Sequence, residues 1–276
     1  SRGTIPINTY VIALSPSGSG KGHSTSLMEQ EVLNNFNAIF REQTLRYSAE
    51  QNCERLAQKR ATRNNTDFQS ELEKLARDYQ NLGAYLPSFD SATTPAIKQM
   101  RQKLLMADAG SCNLVIDEFG ANLTGSIEPL TTYLELYDKG LLRDKLVKSS
   151  AENVRFERIE GYTPANLLAF GTAANLLDGS RNEETLHGLL KIGYARRCLF
   201  AYADKVNKNQ VSSVDDAIAQ MFNNDDDDRL EELSEDFSLL ADMSLLNKYI
   251  SITDTSLRTL VAYKLSCEEQ SQHIPE

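Results

Sequence analysis

Tryptophan is absent from this chain, histidine occurs only three times, cysteine four times, and no apolar run approaches membrane-spanning length. Each shortage excludes something. Cys53, Cys112, Cys198 and Cys267 lie far apart with no C-x-x-C pair, and His23, His187 and His273 are equally scattered, so no zinc site is expected. Dispersed cysteines fit a reducing cytosol, and Cys112 and Cys198, beside apolar runs, read as small core residues. A bilayer needs about 20 consecutive apolar residues, so no membrane partner is expected and a cytoplasmic location is. The first residues, SRGTIPINTY, lack the apolar core of a signal peptide and read as the trimmed end of a longer protein. Basic charge is also short: 29 Lys and Arg stand against 39 Asp and Glu, for a net charge of −10. That balance speaks against a general polyanion-binding surface and leaves room for nucleic acid in a local channel.

What is present begins with TYVIALSPSGSGKGHST, Thr9 to Thr25, an apolar run that stops in a Ser/Gly-rich loop holding one lysine. The pattern predicts a strand, a phosphate-binding loop and the first turn of a helix. Successive backbone N–H groups from Ser17, Gly18, Ser19, Gly20, Lys21, Gly22 and His23 would form an anion cradle, with the Lys21 ammonium for the outer phosphates. ATP or a close relative is the expected ligand, with Mg²⁺. Against G-x-x-x-x-G-K-[ST], Ser15 replaces the first glycine, and Gly22 stands where a hydroxyl normally ligates Mg²⁺. The second departure removes a direct metal ligand unless Ser24, Thr25 or water replaces it. A Gly/Ser turn between a strand and a helix is the plain alternative.

A second motif, NLVIDEFG, runs from Asn113 to Gly120. Leu114, Val115 and Ile116 suit a central parallel strand buried on both faces, ending in Asp117 and Glu118. In nucleotide hydrolysis one such carboxylate supports Mg²⁺ and its neighbour orients or deprotonates the attacking water. That chemistry assigns the metal to Asp117 and the water to Glu118, against the alternative of a strand meeting a solvated loop.

Met28, Val32, Phe36, Ile39 and Phe40 recur at helical spacing and predict a helix from Ser24 to about Phe40 with one face on the sheet. Arg41 to Asn81, rich in charge, reads as two exposed helices broken at RNNTD. Its Arg55, Lys59, Arg60 and Arg63 are read as a solvated face or as a contact to nucleic acid or a neighbour. A strand is expected around Ala84 to Phe89, then a helix with Thr94 as cap and Pro95 at its first position, feeding the NLVIDEFG strand. Beyond it IEPLTTYLELYDKGLL reads as helix, Val154 to Ile159 as a strand, and NLLAFGTAANLLD, Asn166 to Asp178, as a buried strand running into another helix. There Thr172 and Asn175 either reach a γ-phosphate or lytic water, or cap the next helix. In GYARRCLFAYAD, Arg196 and Arg197 precede an apolar strand, either as an arginine delivered to a neighbour's nucleotide or as ordinary ion pairs. NNDDDDRLEELSEDF reads as a solvated loop entering an acidic helix. Leu257, Leu260, Val261 and Leu265 form a stripe on a last helix behind a Thr/Asp cap.

The ordered set SPSGSGKGHS, TTPAIKQM, LVIDEFG, LLAFGTAANLL and GYARRCLFAY resembles the RecA-like ATPase domain of phage and plasmid primase-helicase replication proteins, related to DnaB-type ring helicases. The resemblance covers Thr9 to Asp204. It implies an α/β fold with a RecA-like P-loop NTPase core, a mostly parallel sheet, a helical insertion at 41–82 and a helical C-terminal extension. The division expected is 1–222 for the ATPase domain and 223–276 for an acidic loop and extension. It further implies ATP and Mg²⁺ between adjacent subunits of a homo-oligomer, a hexameric ring, with single-stranded DNA in its pore. Lys21 then contacts phosphate, Asp117 supports Mg²⁺, Glu118 polarises water, Thr172 is the polar sensor, and Arg196 or Arg197 is the trans-acting finger. Lys139, Arg143, Lys145 and Lys148 are the basic cluster expected nearest DNA. An ATP-driven helicase or translocase is the leading function, an ATP-binding assembly or recombination-loader module the alternative, and a small-molecule kinase a third reading.

Overall fold

The computed structural model describes residues 7–123, 125, 127–142, 161–204, 213, 225–248 and 250–271. The strand expected at 154–159, and Arg143, Lys145 and Lys148, lie outside these. The chain divides into two compact units, residues 1–243 and 244–276.

Four β-strands, β1 (Tyr10–Leu14), β2 (Cys112–Ile116), β3 (Ala165–Gly171) and β4 (Cys198–Tyr202), form one sheet in the order β2-β3-β1-β4. All pairings are parallel: Tyr10 lies opposite Leu167 and Cys198, and Cys112 opposite Ala165. The protein is therefore α/β with a parallel sheet. Parallel pairing gathers the C-terminal ends of all four strands on one edge, where ligands bind in open α/β sheets.

Alternate residues of β1, β2 and β3 are buried, namely Tyr10 and Ile12, Cys112, Leu114 and Ile116, and Ala165, Leu167, Ala169 and Gly171, although β2 ends the row of strands rather than lying at its centre as the sequence suggested. β2 is thus not buried on both faces as its composition suggested, since Asn113 and Val115 are only half-buried. Cys112 is core, and burial pushes its thiol up to about 12, while Cys198 is half-buried. The run expected as a strand at 84–89 contributes one parallel bridge, Phe89 to Leu114, through Phe89 N–H to the Asn113 carbonyl (3.1 Å) and Val115 N–H to the Phe89 carbonyl (2.9 Å). Pro87 explains part of this, because a proline has no N–H for a ladder.

From Lys21 the chain stays helical to Asn64: α1 (Lys21–Leu27), a π turn (Met28–Val32), α2 (Leu33–Ile39), a second π turn (Phe40–Thr44) and α3 (Leu45–Asn64). No break occurs near Phe40. Each π turn inserts a residue and rotates the buried stripe, which is how Val32, Phe40 and Thr44 all face inward. The middle of this helix packs on α10 (Asp225–Leu239) rather than on the sheet, with Asn35 Nδ2 donating to Ser234 Oγ (3.1 Å) and Thr44 Oγ1 to the Ala241 carbonyl. The acidic helix therefore belongs with the first unit.

α3 and α4 (Phe68–Asn81) make the expected hairpin, turning at Asn65 in the left-handed conformation and capped by Asp67, which accepts from Ser70 N–H at 2.8 Å. The hairpin is less exposed than its charge suggested. Cys53, Ala57, Leu75, Leu82, Leu105 and Met106 form a core between it and α5 (Thr94–Ala107), and Arg60 is buried with them. Small residues let α3 approach α5 closely, and its polar ones cap α5. Ser48 Oγ donates to the Ala107 carbonyl (2.7 Å), and Asn52 Nδ2 to those of Leu105 (3.1 Å) and Met106 (3.0 Å). These are among the four carbonyls a helix end leaves unpaired. Fixing that end fixes the entry into β2 and so the height of Asp117. Thr93, not Thr94, caps α5, accepting from Ala96 N–H at 3.4 Å, while the Thr94 hydroxyl meets that of Thr132 at 3.0 Å.

Lys103 of α5 is buried, its ammonium 3.8 Å from the Tyr79 ring centre and donating to the Tyr79 carbonyl at 3.2 Å. Desolvation lowers its pKa below the ordinary lysine value of 10.5. The unfolded chain then binds more protons than the folded one between the lowered value and 10.5, so this group makes stability rise with pH across that window. Urea denaturation at a series of alkaline pH values should show that rise, and Lys103→Met should remove it.

α6 (Phe119–Leu123), α7 (Glu128–Lys139) and α9 (Arg181–Ile192) complete the first unit, together with the short α8 (Ala173–Leu176). α7 packs on β3 and lies over Tyr10, whose hydroxyl donates to the Tyr133 carbonyl at 2.5 Å, while Tyr194 donates to Leu130 at 2.6 Å. Burial raises all three phenols, Tyr10, Tyr133 and Tyr194, so none ionises at ordinary pH. In the second unit α11 (Asp254–Ser271) starts behind Thr253, which accepts from Ser256 N–H at 3.2 Å; its Leu257, Leu260, Val261 and Leu265 are exposed.

Candidate functional site

Three sequence motifs meet at the C-terminal edge of the sheet. After Leu14 the chain leaves β1 with Ser15 N–H bonded to the Gly171 carbonyl (3.1 Å), tying the loop to the end of β3. Gly18 and Gly20 have φ of 73° and 84°, conformations that only glycine adopts cheaply, and a Cβ at either would meet nothing within 4 Å. These glycines therefore serve the backbone path rather than packing. The loop is braced internally by Ser15 Oγ and Ser19 Oγ at 2.7 Å. The Lys21 ammonium donates to the carbonyls of Ser15 and Pro16, each at 3.1 Å, which draws its charge across the loop. Ser17, Gly18, Gly20, Gly22 and His23 are exposed, and Ser24 N–H donates to the Gly20 carbonyl at 2.9 Å as the helix begins.

Gly22 links the lysine loop to the carboxylate motif. A Cβ there would lie 3.5 Å from Asp117 Oδ2 and 3.9 Å from Oδ1, so the carboxylate that ends β2 stands directly against the first turn of α1. β3 lies between β1 and β2, and its end carries Thr172. Glu118 is exposed, and its carbonyl anchors the short α6 by accepting from Asn122 N–H (3.3 Å) and Asn122 Nδ2 (3.2 Å). Gly120 sits 3.5 Å, at its notional Cβ, from Asn175 Cβ, so the segments after β2 and β3 pack on each other.

Thr172 occupies the cap position of α8 but its side chain makes no cap bond. Among the described residues its Oγ1, buried in a residue only 8% exposed, has no hydrogen-bond partner. The helix-cap alternative is thereby removed for Thr172. A buried hydroxyl without a partner costs about 1–3 kcal/mol, a cost that a ligand accepting its proton would offset.

Arg196 and Arg197 lie elsewhere. They precede β4, whose first residue is opposite Tyr10, and so sit at the sheet edge away from the Lys21 loop. Arg197 is structural in its contacts: Nη2 reaches Asp138 Oδ2 at 2.6 Å, Nη1 the Gly193 carbonyl at 3.3 Å, and the guanidinium lies 5.6 Å from the Tyr137 ring centre. Arg196 is exposed.

Beside α1 a groove of about 420 Å³ is lined by Gly22, Thr25, Ser26, Glu29, Ser88, Phe89, Asp90, Val115 and Asp117. Ser88 Oγ donates to Glu29 Oε1 at 3.1 Å across it. Gly22, Thr25, Val115 and Asp117 fall within the two sequence motifs, which do not reach Ser26, Glu29, Ser88, Phe89 or Asp90. The available signal was position, since Ser88 to Asp90 end the segment that runs beside β2 at the edge where ligands collect. Among the described residues no group of three or more His, Cys, Asp or Glu is arranged to hold a metal. One carboxylate with hydroxyls, waters and phosphate oxygens still suits Mg²⁺, which keeps much of its hydration when bound. Comparison of the chain with family models, curated proteins and solved structures returned no match.

Proposed function

We propose that this chain is an ATP-hydrolysing motor domain that works as a ring-shaped homo-oligomer on single-stranded DNA, as a helicase or translocase. The observation that carries the nucleotide reading is the meeting of the Lys21 loop, Asp117 against Gly22, Glu118 and the unpartnered Thr172 hydroxyl on one strand edge. A strand between the loop strand and the carboxylate strand is the spacing a RecA-like core requires, because the γ-phosphate and its attacking water must fit between them.

The residues divide the work by chemistry. The loop N–H groups and Lys21 hold the phosphates, and Asp117 takes the metal through its waters. Mg²⁺ would supply charge neutralisation of the β- and γ-oxygens. Glu118, unencumbered by any side-chain bond among the described contacts, would orient and deprotonate water, and Thr172 would donate to the γ-phosphate or to that water. Arg196 faces solvent at the far edge of the sheet, so an arginine from this pair can serve only a neighbour's nucleotide. A ring of adjacent subunits would bring Arg196 of one to the nucleotide of the next. Arg196→Ala should lower hydrolysis without changing ATP affinity. Arg197→Ala should instead destabilise the fold by roughly 1–3 kcal/mol, discounted because Asp138 is exposed. Steady-state kinetics and thermal melts of both variants separate the two roles.

The whole reading is tested by ATP hydrolysis with and without single-stranded DNA, and by displacement of a labelled strand from forked duplexes with a 5′ or a 3′ tail. DNA-stimulated hydrolysis with displacement on one polarity supports it. ATP-dependent assembly without displacement would favour the loader, and no hydrolysis in any condition would end the motor reading.

A further inference from the structure

We propose that the hydroxyl of Thr25, one helical turn beyond Gly22, is the protein's alcohol ligand for the divalent cation that accompanies the nucleotide. The cation would then sit on the flank of α1, in the groove walled by Asp117, rather than at the first turn of the helix. The inference rests on the nucleotide-binding reading above.

Gly22 stands against Asp117 but has no oxygen to offer a metal. Residues three and four positions on share a helix face, so Thr25 and Ser26 are the next side chains along the face that Gly22 begins. Both line the groove together with Asp117. Thr25 is distinguished by its proton, because its Oγ1 donates to the Lys21 carbonyl at 3.0 Å. A hydroxyl that commits its proton to a helix carbonyl keeps its lone pairs for another partner, which is the state a metal ligand needs.

The absence of a side chain at residue 22 keeps the approach between Thr25 and Asp117 clear. A glycine inside a helix is less favourable than an alanine, and the space it leaves here is occupied by nothing closer than the Asp117 carboxylate. The groove, at about 420 Å³, accommodates a cation that retains several waters, and its lining contains oxygen donors with no Lys or Arg to repel one.

The test is equilibrium binding of a fluorescent ATP analogue to the full chain, in Mg²⁺ and in EDTA, read as the ratio of the two affinities. Thr25→Val should lower that ratio about tenfold or more, and Thr25→Ser should preserve it. Adding Gly22→Ser to Thr25→Val should restore it, because a serine Cβ fits at ordinary contact distance beside Asp117. Gly22→Ser alone provides a check that does not depend on the fold of the valine variant. With the ligand position already served, it should change the ratio less than about twofold, and a tenfold gain would mean that the alcohol was missing and would overturn the proposal. A wild-type ratio in a folded Thr25→Val protein would overturn it as well. If wild-type protein binds the analogue equally in Mg²⁺ and EDTA, the cation site falls and the nucleotide reading survives. Absence of binding in both conditions ends both.

Discussion

Lys21→Ala and Glu118→Gln are expected to fail in different ways. The alanine variant should lose ATP binding by about two orders of magnitude, because a desolvated ammonium on phosphate oxygens is a charge-assisted contact that no neighbour can replace. The Lys21 side chain spans the loop to the Ser15 and Pro16 carbonyls, so its removal also loosens the cradle. The glutamine variant should bind ATP at least as tightly as the native chain and hydrolyse it about 10²–10⁴ times more slowly, since an amide keeps the shape of the carboxylate and cannot accept the proton. Glu118 is exposed, and its carbonyl, not its side chain, anchors α6, so the exchange leaves the fold alone. Fluorescent-nucleotide titration and phosphate release measure the two effects separately. Equal loss of binding in both variants would place Glu118 in the cradle and leave the base unassigned.

Gly140→Ala should be the most damaging single methyl in the described structure. Gly140 ends α7 at φ 61°, and a Cβ there would meet the Thr163 backbone, 2.3 Å from its carbonyl oxygen and 2.6 Å from its nitrogen. The crossing is held by Thr163 N–H on the Gly140 carbonyl (3.0 Å) and by Arg101, whose Nη2 donates to the carbonyls of Gly140 (3.2 Å) and Gly161 (2.6 Å). Backbone cannot swing aside as a side chain can, so strain and overpacking together should cost roughly 3 kcal/mol or more. Gly83→Ala is the control: φ is 79°, nothing lies within 4 Å, and only the left-handed strain of about 1 kcal/mol remains. Urea unfolding of the pair should separate them by about 2 kcal/mol. Equal costs would mean that the Gly140–Thr163 crossing opens without loss.

β1, β2 and β3 were legible because an apolar run ending in glycine, acid or small polar residues is a local pattern, and so was the glycine-bearing turn from β1 into α1. The helix from Lys21 was legible in kind but not in extent. Its two π turns move the buried stripe out of simple periodicity, and the contacts that make them tolerable come from α10, almost two hundred residues away in sequence. The 41–82 segment looked solvated because its large apolar residues are few; burial of alanines such as Ala49, Ala57 and Ala61 leaves no strong periodic signal. For the arginine pair the sequence leaves a trans-acting finger and an ordinary ion pair open, and the approach of Asp138 makes Arg197 an ion-paired residue.

By itself the sequence determined the parallel strands, the glycine conformations of the loop and the order of its carboxylates, because these depend on local backbone preference and on residue type. Which groups share a site was decided by tertiary structure alone. Parallel register carried Asp117 to Gly22 and Thr172 to the same edge, sent Arg196 and Arg197 to the other, and built the groove that makes Thr25 a neighbour of Asp117. Long-range proximity is a property of the assembled sheet and of the helix that follows β1, and no short stretch of chain contains it.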